Sequence, residues 1–229
     1  MKGNLLPIMT NETKVYFADT KVFSDDSFFN KMYNTVSAER QEKIDHLQQK
    51  KDKNLSLAAE VLLKKALLEL GISDCEISHN PNGKPYVKNC EDVFISLSHS
   101  HERVMCAVSS LPVGCDVEKS ENANIKIAER FFCNSEYDAI IQKATPEEQQ
   151  KMFFRLWTLK ESFIKATGLG KKLNLNSFGF EIKDGEITIT QSVNQNKYYF
   201  KEFDFNDGYS YSVCSMCPDI CELKQVILK

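Results

Sequence analysis

Two acidic side chains stand close together in the segment Gly114-Cys115-Asp116-Val117-Glu118, near the middle of this 229-residue chain. Side chains alternate between the two faces of a β-strand, so Asp116 and Glu118 point to one face, and Cys115 and Val117 to the other. Neighbouring carboxylates repel each other unless a cation lies between them. Mg²⁺ commonly binds one or two carboxylates together with phosphate oxygens. The segment therefore indicates a magnesium site, with a solvated strand face as the alternative.

A third acidic residue, Glu161, lies four positions before Lys165, which puts both on one face of a helix. A surface ion pair is the simplest interpretation, and such pairs contribute little to stability. However, the surrounding stretch is apolar on nearly all sides (Phe153, Phe154, Leu156, Trp157, Leu159, Phe163, Ile164 and Ala166). A largely buried helix with few charges is expected to place those charges at a cleft, and Trp157 is expected in the core.

A histidine follows alternating serines in the segment Phe94-Ile95-Ser96-Leu97-Ser98-His99-Ser100. Alternation places Phe94, Ser96 and Ser98 on one strand face. His99 falls where the strand ends, a position from which an imidazole could reach a phosphate, with a structural or solvated histidine as the alternative. Upstream, Asn80-Pro81-Asn82-Gly83 is a strong turn signal, and Lys84 after it is either a phosphate-binding cation or an ordinary hairpin lysine.

The elements that must position these residues follow from periodicity, turn signals and caps. Ser37 is a candidate helix N-cap, Gly71 and Gly168 end helical patterns, and Thr145-Pro146 with Glu148 forms a capping box. The predicted helices span residues 37–50, 55–70, 135–143 and 145–167. The predicted strands span residues 14–23, 93–98, 104–109, 115–118, 186–190, 197–205 and 209–215, with a last edge strand over 225–229.

The two halves of the chain look alike, because each has a long helix in which a glutamate precedes a lysine by four residues. The pairs are Glu60 with Lys64 and Glu161 with Lys165. This pattern predicts an α+β fold of two pseudo-symmetric lobes, each an antiparallel sheet packed with a long helix. The lobes are expected to span residues 1–111 and 112–229, with the active site in the cleft between them.

Composition excludes several classes of protein. The formal net charge of −3 provides no overall basic field, so nucleic-acid binding is not expected and any phosphate site requires a local cluster of cations. No stretch approaches the roughly 20 apolar residues of a membrane helix, and the N-terminus lacks a signal sequence, so a cytoplasmic location is expected. The eight cysteines are then expected to be reduced thiols. A zinc or redox site at Cys214 and Cys217 is disfavoured, because this is a single pair with no histidine near it.

Taken together and in this order, these segments resemble the Sfp-type 4'-phosphopantetheinyl transferases. The resemblance covers about residues 37–170 and rests on Asn82–Tyr86, Phe94–Ser100, Val113–Glu118 and Trp157–Ala166. It implies an enzyme that transfers the 4'-phosphopantetheine arm of coenzyme A to a serine of an apo acyl or peptidyl carrier protein. Mg²⁺ would bind the pyrophosphate, and 3',5'-ADP would leave. A monomer is implied, because one chain contains both lobes.

The resemblance also implies residue roles. Asp116, Glu118 and Glu161 correspond to the Mg²⁺ ligands, Glu161 is also the favoured base, and Lys165 is a catalytic phosphate contact. The coenzyme A contacts are implied to be Arg40 and Lys43 at the 3'-phosphate, together with Ser56, Lys84, Pro85, Ser98, His99, Asp116, Lys160 and Lys165. Leu55 departs from the family, which commonly has a basic residue there, so Lys53 or Asn54 would supply part of the nucleotide contact. Two alternatives remain: a non-catalytic protein that binds a carrier or a nucleotide, and a Mg²⁺-dependent phosphohydrolase.

Overall fold

The computed structural model describes residues 11–73, 75–88 and 90–229. The first ten residues, on which the absence of a signal sequence was judged, lie outside the described residues. Six α-helices are described: α1 Asp26–Tyr33, α2 Ala38–His46, α3 Lys50–Glu69, α4 Ile125–Phe131, α5 Asn134–Ile141 and α6 Pro146–Thr167. Eleven strands are described: β1 Glu12–Asp19, β2 Ile77–His79, β3 Pro85–Val87, β4 Phe94–Ser100, β5 Arg103–Ser109, β6 Val113–Lys119, β7 Phe178–Lys183, β8 Glu186–Gln191, β9 Tyr199–Phe203, β10 Tyr209–Ser215 and β11 Asp219–Gln225.

The first large sheet has the strand order β11-β1-β5-β4 and packs with α3. The pairs β1–β5 and β5–β4 are antiparallel, whereas β11 runs parallel to β1. α3 is buried without interruption over residues 54–63, which suits a helix packed between a sheet and its neighbours. The bounds predicted for the last edge strand, 225–229, are wrong: the strand is β11, and it lies at the edge of the sheet formed by the N-terminal half.

The second large sheet has the antiparallel order β6-β10-β9 and packs with α6. A separate hairpin, β7–β8, adds apolar residues to the same core. Between the two sheets lies a third apolar cluster, to which β1, β5, β6 and β10 contribute Val15, Phe17, Met105, Ala107, Val113, Cys115, Val117, Tyr211 and Val213. The predicted α+β class is confirmed: the described residues form four sheets, three of them wholly antiparallel, and six α-helices. The pseudo-symmetry of two lobes stays a prediction.

Helix ends follow the sequence signals closely. The Ser37 hydroxyl accepts from the backbone N–H of Arg40, so α2 begins as predicted, although it already ends at His46 and α3 begins at Lys50. At α6, Thr145 and Glu148 form the predicted capping box, and Gly168 ends the helix with a φ of 71°. Glycine adopts this left-handed conformation without steric cost.

The structure contains no disulfide among the eight cysteines, all of which lie in the described ranges, in agreement with the expectation of reduced thiols. Within those ranges, none of the helices combines the length and the apolar character needed to cross a membrane.

Candidate active site

Helix α6 lies unusually close to strand β6, and Gly114 is the reason. A Cβ atom on Gly114 would stand 1.9 Å from the backbone oxygen of Ser162 and 2.5 Å from the backbone nitrogen of Ala166. The absent side chain lets the backbone of α6 rest directly on the strand. Gly114 and Asp116 share one strand face, so α6 covers the face that carries the acidic residues.

Asp116 lies at the centre of the site and is only 3% exposed. Its Oδ1 atom accepts hydrogen bonds of 2.7 Å from the Ser98 hydroxyl of β4 and 2.7 Å from the Lys165 ammonium of α6. Its Oδ2 atom is buried and has no hydrogen-bond partner. A buried carboxylate oxygen without a partner is costly, and such atoms commonly mark a site for an ion or water. Asp116 therefore has one oxygen fixed by the protein and one available for a ligand.

The other two acidic residues share the electrostatic field of Asp116. Burial, together with the negative charge of Asp116, raises the pKa of Glu118 from 4.5 to about 7. Burial and the same charge also raise the pKa of Glu161. For Lys165, burial has the largest single effect and would lower the pKa, but the charge and hydrogen bond of Asp116, together with the charges of Cys115 and Glu161, raise the pKa overall. The strand and the helix thus bring three carboxylates and one cation into one polar region.

The three carboxylates are not arranged as a set of metal ligands in this structure. Within residues 11–73, 75–88 and 90–229, no group of three or more histidine, cysteine, aspartate or glutamate side chains is placed to hold a metal ion. The donor chemistry nevertheless fits Mg²⁺, because the available atoms are carboxylate oxygens and one of them, Asp116 Oδ2, has no partner.

Alternate serines of β4 attach this strand to β6, although the two strands belong to different sheets. The Ser96 hydroxyl accepts from the backbone N–H of Cys115 at 3.0 Å. The Ser100 hydroxyl accepts from the backbone N–H of Lys119 at 3.1 Å and donates to Glu118 at 2.7 Å. Ser98, which donates to Asp116, thus lies between two serines that attach β4 to β6. The roles of Ser96 and Ser100 were missed at the sequence level, although their alternation with Ser98 was visible.

Three basic side chains, the cations Arg40 and Lys43 and the imidazole of His99, lie on the N-terminal side of this region. Partial desolvation of the His99 ring, followed by the charges of Lys165, Lys43 and Arg40, lowers the pKa of His99. Burial and the charge of Arg40 likewise lower the pKa of Lys43. Each of these groups lies close enough to shift the pKa of a neighbour, so the basic side chains predicted from separate segments lie together. Such a cluster supplies the local positive potential that phosphate groups require.

Arg40 is held by buried partners on α3 rather than lying open. Its Nε donates to Glu60 at 3.0 Å and its Nη1 to the Ser56 hydroxyl at 3.2 Å. Glu60 is 1% exposed and also accepts from the Ser37 N–H and the Lys64 ammonium. Ser56, predicted as a coenzyme A contact, is therefore a buried residue that orients Arg40.

A cavity of about 470 Å³ opens next to Glu161 and Lys165. The turn that contains Lys84 and Pro85 forms one wall, as predicted, and Ile164 with Leu173 contributes an apolar wall. Burial lowers the pKa of Lys84 to about 8. Its ammonium donates to two backbone oxygens, that of Val113 at 3.1 Å and that of Lys165 at 2.6 Å.

Lys160 requires a correction, because the structure places it away from the cleft. Its side chain is fully buried, forms an ion pair of 2.8 Å with Glu136 of α5, and donates to the backbone oxygens of Leu175 and Phe178. Adjacent helical residues point about 100° apart, so the neighbour of Glu161 faces the core of the C-terminal half instead. Lys160 joins α5, α6 and β7 and does not contact the cavity.

We expect Lys160→Met to lower the free energy of unfolding by about 3 kcal/mol, because it leaves the buried Glu136 without its ion partner. Urea denaturation measures this loss. The affinity for coenzyme A, measured calorimetrically where the variant is folded, should stay unchanged. Lys151→Met on the same helix is the control, since its pair with Asp204 is exposed and worth at most about 1 kcal/mol. A large loss of affinity with normal stability would return Lys160 to the binding site.

The chain is similar in sequence to known proteins. The family described as the 4'-phosphopantetheinyl transferase superfamily matches residues 112–214, which include β6 and α6. The 4'-phosphopantetheinyl transferase Sfp of Bacillus subtilis is 35% identical over 191 residues, covering 82% of this chain and 85% of the relative. The chain belongs to this family. The transferase is also 36% identical over 202 residues to the 4'-phosphopantetheinyl transferase gsp of Aneurinibacillus migulanus, covering 87% of this chain and 84% of that protein.

Among solved structures, the transferase is similar to a holo-(acyl-carrier-protein) synthase from Bacillus anthracis in complex with coenzyme A (3',5'-ADP). The two share 14% identity at a TM-score of 0.41, covering 46% of this chain and 94% of the synthase. The sequence relatives confirm the Sfp-type resemblance and the activity of a 4'-phosphopantetheinyl transferase. The enzyme therefore transfers a 4'-phosphopantetheine group.

Proposed function

We propose that the chain transfers the 4'-phosphopantetheine arm of coenzyme A to a serine hydroxyl of an apo acyl or peptidyl carrier protein and releases 3',5'-ADP, in a Mg²⁺-dependent reaction. The observation that carries the metal site is the buried, unpartnered Oδ2 atom of Asp116 beside two carboxylates of raised pKa. Glu118 and Glu161 would complete the ligand set by moving towards Asp116. When bound, Mg²⁺ would neutralise charge on the pyrophosphate oxygens.

The basic side chains would contact different parts of the donor substrate. Arg40, Lys43 and His99 form a cluster suited to the 3'-phosphate of coenzyme A, and Lys165 lies beside Asp116, where the pyrophosphate would approach. The apolar and turn residues of the adjoining cavity, including Pro85, suit the planar base. This arrangement fixes the donor along the boundary between the two sheets.

Glu161 is the proposed general base. The carrier serine would attack the β-phosphorus, its proton would pass to Glu161, and the bond to the 3',5'-ADP oxygen would break. In the metal-free protein, burial raises the pKa of Glu161, so this carboxylate binds a proton more readily than an exposed glutamate does. Lys165 would stabilise the charge that develops on the phosphate oxygens.

Intact mass spectrometry tests this function. An apo acyl carrier protein and an apo peptidyl carrier protein would be incubated with the transferase, coenzyme A and Mg²⁺, with parallel samples containing EDTA or the variant Glu161→Ala. Addition of one phosphopantetheine arm in the complete reaction only is the expected result. Unmodified carriers, despite measurable coenzyme A binding, would favour a non-catalytic binding protein, and release of free phosphopantetheine would favour a hydrolase.

We expect Mg²⁺ binding to strengthen between pH 6 and pH 8. Glu118 has a pKa of about 7, so below that pH the metal must displace a proton, whereas above it the carboxylate is already ionised. Without metal, the stability of the protein should fall as pH rises from about 4.5 to about 7, because the unfolded state ionises Glu118 first. Calorimetric Mg²⁺ titrations at several pH values, together with thermal melts, measure both effects.

Glu118→Gln provides the matched control for this pH dependence, since it removes the titrating group and keeps the side-chain volume. Mg²⁺ binding by this variant should be weaker and nearly independent of pH in the same range. If Mg²⁺ binding by Glu118→Gln kept the pH dependence of the wild type, a group other than Glu118 would be responsible for it.

We expect Arg40→Gln to weaken the binding of coenzyme A by about tenfold, corresponding to about 1.4 kcal/mol. The same substitution should barely change the binding of 3'-dephospho-coenzyme A, because that ligand lacks the phosphate assigned to Arg40 and Lys43. Calorimetry with both ligands measures the difference. An equal loss for both would show that Arg40 acts only through its buried contacts with Glu60 and Ser56.

We further propose that the protein acts as a monomer in the cytoplasm, with the lobes divided near residues 111 and 112. The shared apolar cluster between the two large sheets supports assembly of the site within one chain. Strand β11 crosses this division by pairing with β1, so removal of the C-terminal strand should disturb the N-terminal sheet as well.

A further inference from the structure

The geometry points to a positioning role for Lys84: we propose that its ammonium fixes the C-terminal end of the catalytic helix α6 against β6 and does not itself bind the nucleotide. The inference rests on the roles proposed above for Asp116, Glu161 and Lys165. It differs from the role that family resemblance implies for Lys84, which is a contact in the nucleotide pocket.

The first support is the pair of atoms that Lys84 contacts. Both acceptors are backbone oxygens, one at Lys165 in the last turn of α6 and one at Val113 at the start of β6. The last carbonyl groups of a helix have no partners within the helix, and a cation there is favoured by the helix dipole. The Lys84 ammonium thus satisfies a helix-end carbonyl and joins it to the strand that carries Asp116.

The second support is the symmetry of the contacts around Gly114. On one side of this glycine, Lys84 binds the oxygen of Val113, and on the other side Lys165 binds the oxygen of Cys115 at 3.0 Å. Lys165 also binds Asp116. The close approach of α6 and β6 at Gly114 is therefore held by one lysine from each side. A shift at the Lys84 contact would also move the Lys165 contact, and with it the carboxylate of Asp116.

The third support comes from the rest of the turn. The Asn82 side chain donates to the backbone oxygen of Gly168 at 2.9 Å, just beyond α6. Within the turn, Asn80 Oδ1 accepts from the backbone N–H groups of Asn82 and Lys84, which fixes the direction in which both side chains leave. The turn between β2 and β3 therefore caps the end of α6 through two residues. Its contacts connect the N-terminal half to the catalytic helix.

The consequence is a defined kinetic effect. Glu161 lies one turn before the held end of the helix, so a loosened end misplaces the proposed base and Lys165 together. A displacement of about 1 Å in a catalytic group can lower a rate by about 100-fold. If Lys84 acted on the nucleotide, its loss would instead weaken coenzyme A binding.

The experiment compares Lys84→Met and Lys84→Arg with the wild type and with the control Lys88→Met. Lys88 lies on the same hairpin, pairs with the exposed Glu76, and makes no contact with α6 that the structure describes. We expect Lys84→Met to lower kcat by about 10- to 100-fold, with a change in the dissociation constant of coenzyme A below about threefold. Lys84→Arg should restore part of kcat. A tenfold weaker affinity with normal kcat would overturn the proposal.

Hydrogen exchange keeps the test decisive if Lys84→Met fails to fold. Asn82→Ala removes one exposed side chain and its bond to Gly168, and it should accelerate amide exchange in residues 164–169 while the rest of α6 stays protected. Unchanged exchange and unchanged kcat in this variant would overturn the capping role of the turn. Asp116→Asn, measured in parallel, separates this outcome from failure of the proposed site: an active Asp116→Asn protein contradicts the site, whereas a fully active Lys84→Met protein contradicts only the positioning role.

Discussion

Asp116→Asn should lower the transfer rate by about 10²- to 10³-fold while leaving the fold intact. The substitution keeps the size of the side chain and one oxygen that can accept from Ser98 and Lys165. It removes the negative charge, and it replaces one carboxylate oxygen with an amide nitrogen that cannot bind a cation. Since Asp116 Oδ2 is a buried carboxylate oxygen without a hydrogen-bond partner, Asp116 has the most direct claim to a ligand among the three acidic residues of the site.

Two measurements accompany the rate. Circular dichroism and urea denaturation establish that Asp116→Asn is folded, and Asp138→Asn, on the exposed face of α5, serves as the matched control. The Asn variant should also bind Mg²⁺ more weakly, and the pKa of Glu118 should fall, because the charge of Asp116 helps to raise it. A folded Asp116→Asn protein with more than a tenth of the wild-type rate would contradict the assignment.

Local sequence patterns identified most of the chemical groups of the site. Strand alternation placed Asp116 and Glu118 on one face, and helical spacing placed Glu161 and Lys165 on another. Each of these patterns depends only on the geometry of one element. Their meeting could not be derived in the same way, because it depends on how α6 crosses β6. The family resemblance supplied that step.

The contacts that were not predicted all join separate elements. Ser96 and Ser100 satisfy backbone groups of β6 from a strand of the other sheet, and Lys84 reaches a helix end 81 positions further along the chain. Lys160 was misplaced for a different reason: it shares a motif with Glu161, but the rotation between adjacent residues of a helix turns it towards Glu136. One sequence motif thus contains both active-site residues and core residues, and only the tertiary structure distinguishes them.

The C-terminal strand shows the same limit of prediction from local sequence patterns. The apolar run at 225–229 favoured a strand there, yet the strand is Asp219–Gln225, whose pattern is more polar. Its pairing with β1 gives it a partner from the opposite end of the chain, and Ile220 and Leu223 enter the cluster between the sheets. Long-range pairing overrides local β-propensity in such a case.

Gly114→Ala should be among the most damaging single substitutions in the chain. The added methyl group would lie 1.9 Å from the oxygen of Ser162 and 2.5 Å from the nitrogen of Ala166, and both atoms belong to the backbone of α6. A side chain could rotate away from such a clash, but a helix backbone has to move as a unit. That movement would open the packing of α6 on β6, so we expect a loss of at least about 3 kcal/mol in the free energy of unfolding.

Thermal and urea unfolding of Gly114→Ala measure this loss, with Gly185→Ala as the control. Gly185 has a φ of 83° and nothing within 4 Å of an added Cβ, so alanine there adds backbone strain of about 1–2 kcal/mol without a clash. A larger loss for Gly114→Ala than for Gly185→Ala would show that the clash with α6 costs more than the strain of a left-handed alanine. Any Gly114→Ala protein that folds should also lose activity, because the displaced helix carries Glu161 and Lys165 away from Asp116. A Gly114→Ala protein as stable as the control would mean that α6 can adjust at this point, and that the close approach is not required to form the site.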